Sequence, residues 1–480
     1  MGTWRATYDR SLAEPENFWR EQAELVDWIV KPTVILDRTQ PPFYRWYVDG
    51  RLNTCYNALD RHVIKGRADQ TALIYDSAMT GTRQTFTYAR LLEQVAACAG
   101  ALRAFGVGVG DRVVIYMPMI PEAVITMLAC ARLGAVHSVV FGGFAAPELA
   151  LRIDDAKPTV VLSASCGLEP GRVVAYKPLL DRALEIATHS PRVVVIKQRD
   201  ELRADLIENR DVDWSIAMRA GAESPAHCVD VAATDPLYVL YTSGTTGTAK
   251  GIVRDNGGHA VALTWSMRNL FDMRPGQVWW TASDVGWVVG HSYIVYGPLL
   301  AGATTVLYEG KPVGTPDAGA FWRVVDEHRV EGLFTAPTAL RAIKKQDPEG
   351  KLVHAHSGAS LRHLFLAGER LDPETYHWAS EILGVPVVDN WWQTETGWPI
   401  AANPRGLEPL PLKPGSPTVP VPGYDVRILD ELGNELPAHR GGCDLPAPPA
   451  AAGNAADALS RRRALPLVLP EHLRRLLPLR

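Results

Sequence analysis

The chain has few cysteines, and none of them forms a Cys-x-x-Cys pair. Cys55, Cys98, Cys130, Cys166, Cys228 and Cys443 are scattered over its 480 residues. That scatter argues against a zinc site or a disulfide framework and fits a reducing compartment. Basic charge is not in excess either: 49 Lys and Arg stand against 53 Asp and Glu, a formal charge of −4. Such a balance offers no broad positive surface and argues against nucleic acid as the main partner. The most apolar region, 113–146, is broken by Pro118, Pro121, Glu122 and Arg132, so it reads as buried strands and helices and not as a membrane span. Residues 1–22 carry Asp9, Glu14 and Glu16 and lack an apolar core; they read as neither a secretory signal nor a transit peptide. A cytoplasmic location is expected, and the length calls for more than one subdomain.

What is present starts with Tyr241-Thr-Ser-Gly-Thr-Thr-Gly-Thr-Ala-Lys250-Gly251. A short apolar run, Leu237 to Tyr241, reads as a buried strand that ends in this loop, and Gly251 to Arg254 reads as a second strand leaving it. Gly244, Gly247 and Gly251 let the backbone approach a ligand closely. Thr242, Ser243, Thr245 and Thr246 add hydroxyl donors, and Lys250 adds a point charge, a set suited to a polyphosphate. A Gly/Ser/Thr linker would not need the lysine. The spacing also differs from the common phosphate loop, in which Gly-Lys-Ser/Thr opens a helix.

From about residue 85 strands alternate with helices. Arg112 to Met117, Ser138 to Phe141, Thr159 to Ser163 and Val193 to Ile196 read as strands; Pro121 to Leu133, Pro147 to Asp155 and Pro178 to His189 read as helices. The rhythm resumes after the loop with strands at Thr304 to Tyr308, Gly332 to Ala336, Leu364 to Ala367 and Val387 to Trp391. Alternation of this kind predicts parallel sheets covered on both faces. Residues 1–60 are rich in Trp and Tyr and read as a segment packed across a larger domain.

Four further stretches carry candidate chemistry. Asp389-Asn-Trp-Trp-Gln-Thr-Glu-Thr-Gly397 sits at the C-terminal end of a predicted strand, where open parallel sheets bind ligands. Its aromatics offer flat walls, Asn390, Gln393 and Thr394 offer hydrogen bonds, and Glu395 suits a hard cation such as Mg²⁺. Leu366-Ala-Gly-Glu-Arg-Leu371 reads alone as a strand-to-helix turn. Thr281 to Tyr293 holds Asp284 and His291 on one loop, which does not fix them as an acid/base pair; a lone His in an apolar run reads as structural. Ser163 to Arg172 reads as a surface turn.

The loop at 241–251 resembles the signature of the adenylate-forming acyl-CoA synthetases, and its specificity far exceeds that of a lone glycine motif. Where that family usually has Lys-Pro-Lys, this chain has Thr248-Ala249-Lys250. The resemblance runs from about residue 4 to about residue 441. It is closest to the propionyl-CoA synthetases in Gly167-Leu-Glu-Pro170, Asp255-Asn-Gly-Gly-His259, Lys311-Pro-Val-Gly-Thr-Pro-Asp317 and Asp389-Asn-Trp-Trp392. It implies an α/β fold: a large N-terminal adenylate-forming domain of two subdomains with mainly parallel sheets and helices on both faces, plus a small β subdomain. The expected division is a packed segment at 1–60, the AMP-binding domain at 61–408, the start of the β subdomain at 409–441 and an atypical tail at 442–480.

The resemblance implies roles as well. Thr242, Ser243, Gly244, Thr245, Thr246, Gly247 and Lys250 would hold the triphosphate of ATP. Asp389, Asn390, Trp391, Trp392 and Gln393 would line the adenine pocket, joined by Gly368, Glu369 and Arg370. Thr394 would touch the α-phosphate and Glu395 would hold Mg²⁺. Trp392 would block the acyl tunnel so that two or three carbons fit, with Trp287 bordering the same pocket. Val289 would lie near the pantetheine of coenzyme A and Arg172 near its 3′-phosphate, although Glu169 stands where acetate-specific relatives have a second arginine. The implied reaction is ATP-dependent activation of propionate, or acetate, to acyl-AMP and then acyl-CoA.

After Gly441 the sequence turns to Ala, Pro, Leu and Arg, with Arg461-Arg-Arg463 and no strand alternation. The family's Thr-Gly-Asp and its C-terminal lysine do not occur there, and a shifted reading frame would account for such a composition. Turnover impaired by truncation is therefore expected, and the alternative is a nucleotide or acyl-adenylate binder without turnover. An adenylating module of a carrier-protein system fits less well, because Trp392 leaves no room for an amino-acid side chain.

Overall fold

Val113-Val-Ile115, Val160-Val-Leu162 and Val193-Val-Val-Ile196 are runs of β-branched and aliphatic residues with helices between them. Runs of that kind bury both faces and line up as parallel strands joined by crossover helices. The computed structural model describes residues 2–41, 43–242 and 250–428, with the backbone pairing of Leu467–Val468 against Arg427–Ile428. Ser243 to Gly247 and the tail after 441, apart from that one pairing, lie outside the described residues.

Two seven-stranded sheets organise the chain. In sheet A the spatial order is Asp211–Asp213, Val193–Lys197, Val160–Ala164, Arg112–Tyr116, Val136–Val139, Pro236–Thr242 and Lys250–Asp255. Every neighbouring pair is parallel except the last. In sheet B the order is Val387–Asp389, His363–Leu366, Gly332–Thr335, Val278–Thr281, Thr304–Glu309, Thr71–Ser77 and Arg83–Thr87, again parallel up to an antiparallel edge.

The strands of sheet A divide their side chains between two cores, as the two-residue period of a strand requires. Val113, Ile115, Val160 and Leu162 face the large central core, while Val114, Tyr116, Val161 and Ile196 face a smaller one completed by Leu149, Ile153 and Leu180 of the helices Ala146–Ala156 and Tyr176–Ile186. On the central side, helix Tyr88–Ala104 opens at Thr87, whose side chain accepts from the Arg90 N–H. It lies against helix Trp214–Glu223 at two glycines. A Cβ on Gly221 would sit 2.0 Å from the Ala97 carbonyl, and one on Gly100 would sit 2.4 Å from the Ser224 carbonyl. Only glycine permits that approach.

Most predicted elements are present within a few residues of their expected ends; the helix expected at Pro121 to Leu133 is found as Pro121–Arg132. One reading needs correction. Thr281 to Tyr293 is not a single loop, because the chain turns helical at Val288 and stays so through Leu300. Gly290 permits the turn: a Cβ there would sit 2.1 Å from the Asp284 carbonyl. The N-terminal aromatics pack inward. Trp19 lies edge-on to Trp46, Trp265 and Trp398 at 6.0–6.2 Å, and the Trp4 indole donates to the Pro420 carbonyl.

One buried ion-pair assembly joins the two sheets, and a buried ring cluster joins sheet A to the helical stretch that starts at Val288. Arg199, just beyond a sheet A strand, makes a bidentate pair with Glu309 at the end of a sheet B strand (2.6 and 3.0 Å). The same carboxylate accepts from Tyr75 and Ser77. In the ring cluster, His137 of sheet A stacks on His291 at 5.4 Å, and Tyr238 lies 4.6 Å from His291. Burial holds the His291 imidazole neutral and pushes its pKa down to about 4.

Replacing Glu309 with Gln leaves Arg199 without its main counter-charge. A loss of about 3 kcal/mol is expected, at the low end for a broken buried pair because Glu201 lies 3.5 Å from Arg199; denaturant unfolding measures it. His291 makes a second prediction. Its folded pKa is below the ordinary value, so the unfolded chain binds the extra proton as pH falls. Its stability contribution is complete above about pH 6.5 and is lost as pH drops towards 4, amounting to about 2 kcal/mol at pH 5. Melting at pH 7 and pH 5 should show a smaller difference in His291→Phe than in the native chain; an equal difference would contradict this.

Candidate active site

The edge of sheet A sets the geometry. Pro236–Thr242 and Lys250–Asp255 pair antiparallel, with Thr242 opposite Lys250. The two strands expected on either side of the loop are thus present and adjacent, while residues 243–249 themselves lie outside the described residues. Lys250 is exposed at the start of the returning strand.

Four residues further on, Arg254 reaches the second motif. Its guanidinium donates to the main-chain carbonyls of Thr394 (2.8 Å), Glu395 (3.0 Å) and Thr396 (3.3 Å). It also donates to the Tyr238 hydroxyl at 3.4 Å. Gly397, at φ +76°, packs flat on the guanidinium, where a Cβ would come within 2.8 Å of it, and its carbonyl accepts from Ser292. Arg254 is thus a functional candidate that the sequence reading passed over. The available signal was a charged residue in a strand otherwise carrying Ile252 and Val253.

The rest of the motif is held by its own main chain. Trp391 exchanges hydrogen bonds with Ala401, and its carbonyl also accepts from Ile400. The Gln393 carbonyl accepts from the N–H groups of Thr396 and Gly397. Thr396 Oγ1 donates within the same turn. These contacts close a tight turn that carries Thr394 and Glu395. Glu395 has no ion pair among the described residues, so its carboxylate is available to a hard cation; the residue borders a cleft of about 820 Å³ that also exposes Gly251 to Asp255.

Asp389 ends its sheet B strand beside the 366–371 turn. Asn390 donates from both its main chain and its side chain to the Leu366 carbonyl. Burial pushes the Asp389 carboxyl up to about 6, against the pull of the Asn390 and Leu371 N–H groups and the Arg370 charge. Gly368 takes φ +102° with open space where a side chain would be, and Glu369 is paired with Arg341 at 2.6 Å. The structure thus brings Gly368, Glu369 and Arg370 together with Asp389 and Asn390. It leaves Asn390 Oδ1 buried without a hydrogen-bond partner among the described residues.

Between the ends of the two sheets lies a cleft of about 450 Å³. Phe141, Tyr176 and Glu169 line one side, and Asp284, Trp287 and Lys311 the other. Trp287 is about half exposed and packs against Phe141 at 5.5 Å. Enclosure pushes the Asp284 carboxyl up to about 6. Trp392 is not on this lining; it packs on Tyr293 and stacks on Phe334, the residue before the cleft residue Thr335. Val289 is partly buried in the first helical turn after Trp287. Arg172 is exposed on a hairpin opposite Glu169, and Glu169 is paired with Lys311 at 3.2 Å. Tyr176 and Lys311 were not picked out by the sequence reading as site residues. No helix among the described residues is long and apolar enough to cross a membrane.

Comparison with known proteins identifies the family. The AMP-binding enzyme family matches residues 60–443, and the acetyl-coenzyme A synthetase N-terminus family matches residues 4–58. An uncharacterized protein of Pseudomonas aeruginosa is 58% identical over 453 residues, 94% of this chain and 72% of that relative. The mouse mitochondrial acyl-CoA synthetase short-chain family member 3 is 53% identical, over 94% of this chain and 66% of its own length. The propionate–CoA ligase of Escherichia coli is 49% identical, over 89% of this chain and 68% of its own length. The chain thus spans about two thirds of the length of these relatives. With two mainly parallel sheets, an acidic-aromatic turn held against the edge of one of them, and matches of this extent, the chain belongs to the AMP-binding enzymes, in the branch of the short-chain acyl-CoA synthetases.

Proposed function

We propose that this protein activates a short-chain carboxylic acid with ATP, propionate in preference to acetate, giving acyl-AMP and pyrophosphate and then acyl-CoA and AMP. One observation carries the reading: Arg254, on the strand that leaves the loop, is bonded to the turn bearing Thr394 and Glu395. The strand that Lys250 begins and the turn bearing Thr394 and Glu395 are therefore adjacent, which supports a single phosphate site. The names of the mouse and Escherichia coli relatives support the same reaction class.

In this reading Lys250 and the loop residues Thr242 to Gly247 hold the triphosphate, and Thr394 meets the α-phosphate. Gly368, Glu369, Arg370 and Asp389 to Gln393 form the adenine pocket. Glu395 would hold Mg²⁺, which supplies neutralising charge when bound. Trp287 and Trp392 limit the acyl chain, and Arg172 and Val289 serve coenzyme A. The acid's carboxylate attacks the α-phosphorus, pyrophosphate leaves, and the coenzyme A thiolate then displaces AMP. The protein's contribution is to orient the reactants and offset charge. Small molecules are its substrates, a cytoplasmic location fits, and nucleic acid has no part.

Pyrophosphate release from ATP by the 480-residue chain should depend on added acid, with propionate ahead of acetate. ATP binding without release would favour the binder lacking turnover, a reading motivated by the absence of Thr-Gly-Asp after Gly441 in this sequence. Trp392→Gly removes an indole packed on Phe334 and should shift preference towards acids of five or more carbons. An unchanged chain-length profile would take Trp392 out of the acyl pocket.

A further inference from the structure

We infer that Arg254 is a positioning residue for the phosphate end of the site: it sets the Thr394–Glu395 turn and through it the site's response to Mg²⁺. The inference rests on the proposed adenylating reaction.

Three observations point there. The first is the number of contacts. One planar guanidinium serves three successive carbonyls, those of Thr394, Glu395 and Thr396. A fork of donors fixed in one plane holds such a set where a lysine's single ammonium cannot. The second is that Arg254 has no carboxylate within ion-pair distance among the described residues; its direct partners are carbonyl and phenol oxygens, with the Asp255 carboxylate acting on its charge from further away. Coordination of that kind constrains the turn's shape, and it leaves net positive charge on the strand that Lys250 begins. The third is the packing. Gly397 closes over the guanidinium face, the Gly397 carbonyl is held by Ser292, and the Arg254 Nε reaches Tyr238. The turn can move only if the guanidinium moves with it.

The consequence follows from where the carbonyls point. They face Arg254, so the Thr394 and Glu395 side chains are left to the ligand side, and the Glu395 carboxylate stays unpaired. Without the guanidinium, three carbonyls lose their donors and the turn relaxes. Two further groups contribute to the electrostatics around Arg254. Asp255 follows it on the strand and faces the His259 N–H, and Tyr424 lies close enough to act on its charge.

The test is Mg²⁺-dependent ATP binding by the full chain, measured by calorimetry, for the native protein, Arg254→Gln, Arg254→Lys, Glu395→Gln and the double variant. Arg254→Gln should weaken Mg·ATP binding about tenfold or more and raise the Mg²⁺ concentration needed for half-maximal binding. Arg254→Lys should recover only part. In the Glu395→Gln background the Arg254 substitution should add little, because both act through one group. A lowered melting temperature with an unchanged Mg²⁺ requirement would reduce Arg254 to a structural role and overturn the inference. Full additivity with Glu395→Gln would overturn it as well. Native chain that binds no Mg·ATP at all would instead count against the adenylating reaction, and the positioning role would fall with it.

Discussion

The hydrogen bonds from Arg254 to the carbonyls of Thr394, Glu395 and Thr396 are what make two distant stretches of sequence into one site. The loop strand and the acidic-aromatic turn are separated by some 140 residues and belong to different sheets. Sheet A ends in the antiparallel pair that frames the loop; sheet B ends in the strand that delivers Asp389. Neither sheet alone offers both a phosphate loop and a pocket wall. A charge-assisted contact across that junction is stronger than a neutral one and holds its geometry.

The two sheets are brought together in a manner that keeps this junction stiff. Arg199 and Glu309 tie them at the cleft, and a cluster of neutral histidines and tyrosines, with His137 stacked on His291 and on Tyr296, packs the centre. Polar groups are costly to bury; the Arg199–Glu309 pair is fully matched, whereas His137 Nδ1, His259 Nε2 and His291 Nε2 are buried without a hydrogen-bond partner among the described residues, and burial keeps these rings neutral. The two carboxyls pushed up to about 6, Asp284 and Asp389, lie at the ends of this arrangement, one lining the cleft and the other beside the Gly368 turn. Enclosure raises both, as expected where a site excludes water.

Much of the fold was readable because it is written in repeated local signals. Val-rich runs alternate with helices that begin at proline, and Pro121 and Pro373 each mark a first turn. The site was readable where residue type and spacing carry chemistry, as at Lys250 and Glu395. What escaped depends on tertiary contact. Nothing in the neighbourhood of Arg254 in sequence tells that its partners are carbonyls at 394–396, and Lys311 is an ordinary loop lysine until the fold places Glu169 beside it. The helical start at Val288 was missed for a similar reason, since Gly286 and Gly290 read locally as loop signals and their tight packing is visible only in three dimensions.

The central claim is that the strand from Lys250 and the turn at 389–397 bound one nucleotide site. Photolabelling the chain with 8-azido-ATP and mapping the modified peptides tests it most directly. Labelling confined to the peptides spanning 366–371 and 387–397, and suppressed by excess Mg·ATP, is the predicted result. Suppressible labelling at positions remote from both segments would contradict it.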